Sequence, residues 1–188
     1  MLYLIIIGGS MLLIAAINIL VPLPFADGLK WWEIAISTVL GTVSVIAWDG
    51  LQAFFIRRLP QKMFAPNSRA FLVGKRERAF YRRLRINEWK DLIPELGGFT
   101  NFHKSEFSSP KDPTYIGRFL LESNYGVAIH LSNAALGFLI ILLPWCSAPS
   151  IGFPIALVNL VLSLLPVAIL RFNTAPLHRL YVRSLKKA

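Results

Sequence analysis

Residues 151–170 read IGFPIALVNLVLSLLPVAIL, a stretch without any charged side chain. Its length matches the roughly 20 apolar residues that an α-helix needs to cross the hydrocarbon core of a bilayer. Three further apolar stretches run over about 1–21, 31–56 and 126–146, and the hydrophobic fraction of the chain is 55%. A soluble domain of 188 residues would have to bury all four stretches and would expose too little polar surface. We therefore predict an all-α membrane protein with about four transmembrane helices.

The positions of the Lys and Arg residues predict the topology. Nineteen of the 20 lie within 57–118 and 171–187, and only Lys30 lies elsewhere. Because Lys and Arg accumulate on the cytoplasmic side of membrane proteins, we expect both termini and an insertion at 57–125 to be cytoplasmic. The chain 1–188 is then a single multi-pass membrane domain, and we expect it in a bacterial cytoplasmic membrane.

The formal net charge of +10 is concentrated beside the predicted spans. Anionic headgroups attract Lys and Arg by about 1 kcal/mol per residue near the membrane surface, so membrane lipids are expected partners. Nucleic-acid binding is a weaker interpretation of the same charge, because the chain has no nucleic-acid-binding motif. We expect no nucleic-acid partner.

The insertion is predicted to be basic and partly helical. Residues 69–90 carry aromatic and Leu side chains partly at i, i+4 spacing, as in a helix that lies in the membrane interface. The arginines between them either bind an anionic ligand or form a solvated basic face. Residues 91–118 are rich in Gly and Pro and should be mostly loop, with a short helix resuming near Tyr115 and running into the third span. The candidate substrate-binding residues in this segment are Arg82, Arg83, Arg85, Trp89 and Lys90.

Four ionisable residues mark a candidate site in or beside the spans. Asp49, Glu122, His130 and Arg171 all fall towards the cytoplasmic half in this topology. Ionisable side chains are costly inside a membrane, and they usually face the interior of a helix bundle or a polar cavity. We therefore expect the four to converge, with Asp49 contributing to substrate binding.

The spacing of Glu122 and His130 limits how they act together. Eight residues correspond to about 12 Å along a straight α-helix. A direct hydrogen bond would need a break at Gly126; otherwise each residue works with partners from other spans. Structural roles also remain open: Glu122 as the partner of Arg118, and His130 as a core histidine bonded to a backbone carbonyl.

Familiar catalytic motifs are absent from the sequence. It has no glycine-rich nucleotide loop, no HExxH and no Gly-x-Ser-x-Gly elbow. Cys146 is the only cysteine, so a cysteine-based metal site is excluded, and we expect no metal. The simplest remaining chemistry is a direct transfer assisted by a general base, for which histidine is the usual residue.

An ordered set of short motifs over about 59–187 carries a family resemblance. In chain order the motifs are Leu59-Pro60-Gln61-Lys62-Met63-Phe64, Glu77, Phe80-Tyr81, Trp89-Lys90, Glu122, His130, Pro166 and Arg171-Phe172-Asn173. This order resembles the glycosyl-diaponeurosporenoate acyltransferases. They are small membrane enzymes that attach a fatty acyl chain to the sugar of a glycosylated carotenoid acid, in the pathway to staphyloxanthin-type carotenoids.

The resemblance implies acyl transfer from a thioester donor, an acyl-CoA or an acyl carrier, to a hydroxyl of a membrane glycolipid, without a further cofactor. It implies His130 as the general base and Glu122 as a residue that orients a hydroxyl or a neighbouring donor. Arg171 or Asn173 would then stabilise the oxyanion. Two other functions stay open: a non-enzymatic assembly or regulatory subunit, and a small lipid methyltransferase. The sequence leaves the acceptor, the acyl chain and the oligomeric state open.

Overall fold

A computed structural model describes residues 2–21, 28–93 and 112–186. Within these ranges the chain forms helices and turns, without a β-strand. Four of the helices are long and apolar enough to cross a membrane, which confirms the predicted all-α architecture with four spans. In chain order the α-helices are α1 (Leu2–Leu20), α2 (Trp31–Ile56), α3 (Lys75–Arg83), α4 (Ile86–Trp89), α5 (Pro113–Leu136) and α6 (Pro149–Leu185).

The third apolar helix begins well before the predicted start at residue 126. Asp112 caps it, because its side-chain oxygen accepts a 2.8 Å hydrogen bond from the backbone N–H of Thr114. Pro113 occupies the first helical position, where its missing N–H costs nothing. The prediction that a helix resumes near Tyr115 and runs into the third span is confirmed, because α5 is one continuous helix. The span ends in a 3₁₀ segment, Gly137–Leu142.

The last helix is also longer than the predicted span 151–170. α6 continues without interruption to Leu185, so the basic tail is helical from Arg171 to Leu185. Thr174 fits within the helix because its hydroxyl donates to the carbonyl oxygen of Leu170 at 2.8 Å. The first polar side chains after the apolar stretch therefore have fixed positions on a rigid element.

The chain divides into two compact units. The first unit comprises Met1–Phe55 and Ile129–Leu164, and the second comprises Ile56–Ala128 and Leu165–Ala188. All three boundaries fall inside long helices, since α2, α5 and α6 each contribute to both units. The single membrane domain over 1–188 stays a prediction.

Aliphatic side chains and close helix contacts form the core of the first unit. Gly41 permits one such contact, because a Cβ atom there would lie 2.8 Å from the Cys146 sulfur. Cys146 is completely buried, in keeping with a packing role rather than a nucleophilic one. The core residues are Ile14, Ile34, Val45, Ile140, Ile151, Ile155 and Ala156.

The insertion is partly helical, but the single helix predicted over 69–90 is wrong. The structure has a 3₁₀ turn at Arg69–Phe71, then α3 and α4 separated at Leu84 and Arg85. Arg85 has a φ of 52°, the left-handed conformation that ends an α-helix and that non-glycine residues seldom adopt. The helical spacing predicted across this break therefore does not hold. Most of the predicted loop, residues 94–111, lies outside the described residues.

Candidate functional site

The segment that follows α2 is pinned to α5 within the second unit. The buried Asn124 amide donates to the carbonyl oxygen of Phe64 at 2.9 Å and to that of Ala65 at 3.3 Å. The Tyr125 hydroxyl donates to the carbonyl oxygen of Leu59 at 3.2 Å, and its ring stacks on Phe64 with centroids 4.1 Å apart. The Leu59–Phe64 motif thus has a structural role, because Asn124 and Tyr125 satisfy backbone groups that follow the end of a helix.

A bidentate ion pair joins α3 to α6. The Arg171 guanidinium donates through Nε and through a terminal nitrogen to the two carboxylate oxygens of Glu77, each at 2.7 Å. Its other terminal nitrogen donates to the carbonyl oxygen of Ala70 at 3.4 Å. The Tyr81 hydroxyl adds a third donor to Glu77 at 2.9 Å. A bidentate pair adds geometric specificity as well as interaction energy. Arg171, Glu77 and Tyr81 therefore form one unit, called the clamp below.

The clamp shifts the pKa values of both of its groups on α3. Burial opposes ionisation of Glu77, but the hydrogen bonds from Arg171 and Tyr81 and the charge of Arg171 outweigh it, so its pKa is lowered. Burial, together with the neighbouring Glu77 carboxylate, raises the pKa of Tyr81 to about 12. Tyr81 therefore stays a neutral hydrogen-bond donor throughout the physiological range, and Glu77 stays a carboxylate.

Glu122 belongs to the same unit and has a separate partner. A nitrogen of Arg57 lies 3.1 Å from a carboxylate oxygen of Glu122. The Arg57 guanidinium also lies over the Tyr125 ring, 5.8 Å from its centroid. Asn173 is half-buried on α6, two residues after Arg171. Glu122 and Arg171 thus each engage their own ion pair.

The predicted donor-binding residues lie on and after the short helix α3. Arg82, Arg83 and Arg85 are exposed, and Arg85 pairs with Glu88 at 2.7 Å. The Trp89 indole donates to the carbonyl oxygen of Leu84 at 2.9 Å, and Lys90 is half-buried. The arginines are therefore available to an anionic ligand, whereas the Trp89 indole N–H stabilises the break between α3 and α4.

In the first unit, Asp49 on α2 lies beside a buried asparagine of α6. The Asn159 amide nitrogen lies 3.5 Å from a carboxylate oxygen of Asp49 and 3.3 Å from the carbonyl oxygen of Asn133. A Cβ atom at Gly137 would collide with this amide nitrogen. Gly137 is thus required for the approach of Asn159 to α5.

A second polar contact, one turn later on α2, joins α2 to α5. The buried Gln52 side chain contacts the Ser132 hydroxyl. The Trp48 indole N–H donates to the carbonyl oxygen of Leu136 at 3.2 Å. Two residues of α2, Trp48 and Gln52, therefore present polar groups to α5 within about one helical turn.

His130 is half-buried on α5 in this same unit. The helix passes through Gly126 without a break, so the spacing of about 12 Å to Glu122 expected for a straight helix applies. Asp49 and His130 belong to the first unit, and Glu122 and Arg171 belong to the second. The convergence of all four at one site stays a prediction.

Sequence reasoning missed two residues that the structure makes central. Asn159 is the one amide side chain in the stretch 151–170, and its polarity in an apolar helix was the only sequence feature that could have marked it as a candidate. Glu77 was noted only as part of a family motif, and its pairing with Arg171 across 94 positions has no local signature. Among the residues that the structure describes, no group of three His, Cys, Asp or Glu side chains could hold a metal ion.

The four long apolar helices define an integral membrane protein, and buried polar groups in both units distinguish it from a simple anchor. Residues 60–183, more than half of the chain, match the family model for glycosyl-4,4'-diaponeurosporenoate acyltransferase (CrtO). The chain belongs to this family and is an acyltransferase of carotenoid glycolipid biosynthesis. No curated protein and no solved structure significantly matches the chain.

Proposed function

We propose that the protein transfers a fatty acyl group from an acyl-CoA or acyl-carrier thioester to a sugar hydroxyl of a glycosylated carotenoid acid or a closely related membrane glycolipid. The family match carries this proposal, since its description names both acyl transfer and a glycosylated acceptor. The four apolar helices support a lipid acceptor that reaches the enzyme laterally from the bilayer. The match also favours acyl transfer over methyl transfer and over a non-enzymatic subunit.

His130 is the proposed general base. Its neutral imidazole takes the proton of the acceptor hydroxyl as that oxygen attacks the thioester carbonyl carbon. A C–O bond forms, the C–S bond breaks as the tetrahedral intermediate collapses, and the proton passes from the imidazolium to the departing thiolate. The half-buried position of His130 in a long apolar helix supports this role, because ionisable groups at such positions are seldom retained for packing alone.

The other proposed catalytic residues act on charge and orientation. Glu122, whose carboxylate is held by Arg57, orients a substrate hydroxyl or a neighbouring donor. Asn173 or Arg171 stabilises the oxyanion of the tetrahedral intermediate through N–H donors. Arg171 uses three of its five N–H groups on Glu77 and Ala70, so its contribution comes from the two that remain.

The proposed donor site lies on the basic insertion. Exposed Arg82, Arg83 and Arg85 bind donor phosphates by charge-assisted hydrogen bonds, and Trp89 and Lys90 border them. The positive-inside distribution supports a cytoplasmic position for this surface, on the side where thioester donors are made, with both termini on the same side. Membrane lipids with anionic headgroups are the proposed neighbours of the same face.

His130→Asn tests the proposal. The purified variant in lipid nanodiscs is expected to keep its fold and to lose acyl transfer from acyl-CoA by roughly 10²-fold or more, because Asn cannot act as a base. His178→Asn is the matched control, since His178 lies in the other unit and contacts Asn67. Near wild-type transfer by His130→Asn at normal abundance would show that His130 is a packing residue.

A further inference from the structure

Asp49 has few polar partners for a carboxylate in an apolar helix. It lies about two turns before the end of α2, and within the described part of the chain its one hydrogen-bond partner is the Asn159 amide at 3.5 Å. An ionised carboxylate offers about four acceptor positions, and because Asp49 is only half-buried, some of them are open to a ligand. A network that served only to join helices would be expected to satisfy this group more fully.

The neighbouring groups are arranged around Asp49 by helix geometry. Gln52 follows one turn later on α2 and contacts Ser132, whereas Asn159 spans from Asp49 to the Asn133 carbonyl. The absence of a side chain at Gly137 makes room for Asn159. The set therefore combines a carboxylate with amide and hydroxyl groups on three facing helices of one unit, in positions that depend on a specific glycine.

His130 lies three residues before Asn133 on the same face of α5. One helical turn places their backbones about 4.5 Å apart along the axis, which is comparable with the width of a hexose ring. The proposed base therefore lies within one turn of the residue whose carbonyl oxygen Asn159 contacts. The Trp48 indole, which combines an apolar face with a polar edge, lies next to Asp49 on α2.

We infer that Asp49, Gln52, Ser132, Asn133 and Asn159 form a cradle for the sugar headgroup of the lipid acceptor. This inference rests on the proposed function and assigns its acceptor site. Carboxylate and amide oxygens accept hydrogen bonds from sugar hydroxyls, and amide nitrogens donate to the ring and hydroxyl oxygens. The negative charge of Asp49 disfavours donor phosphates here, so the cradle selects the neutral sugar and leaves the phosphates to the basic insertion.

The test measures sugar binding without any acyl donor. Protein immobilised in nanodiscs is titrated with radiolabelled dodecyl β-glucoside, and dodecanol serves as the competitor that lacks a sugar. We expect wild-type protein to prefer the glucoside, and Asp49→Asn to weaken glucoside binding by about tenfold or more, the size expected for one charge-assisted hydrogen bond. Dodecanol binding is expected to be unchanged. Gly137→Ala should have the same effect as Asp49→Asn, because the new Cβ displaces the Asn159 amide.

Two variants of the same unit are matched controls. Asn18→Ala removes another buried amide, which donates to the carbonyl oxygens of Ile14 and Ser150. Gly41→Ala introduces a Cβ into another tight helix contact. Both should keep the preference for the glucoside. Unchanged glucoside affinity in Asp49→Asn, or an equal loss in Asn18→Ala, overturns the cradle. The absence of acyl transfer by the wild-type protein in a separate activity assay would overturn the proposed function instead, because the binding assay needs no turnover.

Discussion

Glu77→Gln tests the clamp between α3 and α6. The substitution preserves size and one carbonyl oxygen, but it removes the charge that holds the Arg171 guanidinium through two 2.7 Å hydrogen bonds. The side chains of Arg171 and Glu77 are only 14% and 28% exposed, so water replaces the lost partner poorly. We expect the second unit to lose stability because a half-buried guanidinium then faces a neutral amide.

The expected magnitude follows from the exposure of the pair. Exposed ion pairs contribute about 0–1 kcal/mol, whereas removing one partner of a fully buried pair costs about 3–5 kcal/mol. The clamp lies between these limits, and we expect its loss to lower the free energy of unfolding by about 2–3 kcal/mol. For a chain of this length that corresponds to a fall in Tm of roughly 5–10 °C.

The assay needs a reporter inside the second unit. Ser123 is buried there, and Ser123→Cys in a Cys146→Ala background supplies a single thiol that a maleimide dye reaches only when the unit opens. Glu88→Gln is the matched control, since Arg85 and Glu88 also pair at 2.7 Å but are 73% and 57% exposed. Equal losses of Tm in Glu77→Gln and Glu88→Gln would refute the argument that burial sets the strength of the clamp.

The loss of stability caused by Glu77→Gln should depend on pH. The folded pKa of Glu77 lies below its ordinary value of 4.5, so its contribution is complete above that value and is lost as the pH falls through the lowered one. The difference in Tm between wild type and Glu77→Gln should therefore be constant at neutral pH and shrink in acid below about pH 4.5. A difference that grew with falling pH would contradict the assigned direction.

Two further predictions concern the basic insertion. Joint replacement of Arg82, Arg83 and Arg85 by Ala should raise the KM for the acyl donor, more so at high salt, with little loss of stability, because these side chains are exposed. An unchanged KM with collapsed expression would argue against ligand binding, and joint replacement of Arg179 and Arg183 is the control. Ser68→Cys in the Cys146→Ala background should react with an impermeant maleimide only after the cells are permeabilised. Labelling of Ser68→Cys in intact cells would show that the predicted topology is wrong.

The four spans were predictable because their signal is local. A bilayer sets a minimum length, and uncharged stretches such as 151–170 meet it without reference to the rest of the chain. The ends of the helices were harder to predict. Residues after 170 mix charged and apolar side chains, which suit a helix in water as well as a loop, and only the structure shows that α6 continues to Leu185. The break at Arg85 depends on a single left-handed residue that no composition signals.

The polar residues show a different limit of sequence reasoning. Their presence at costly positions identified Asp49, Glu122, His130 and Arg171 as candidates, but it did not identify their partners. Arg171 pairs with Glu77 across 94 positions, and Asp49 meets Asn159 across 110. Such pairs form only when separate helices pack, so no periodicity encodes them. Gly137 is an example. It matters because the Asn159 amide, from another helix, occupies the space that a side chain at position 137 would fill.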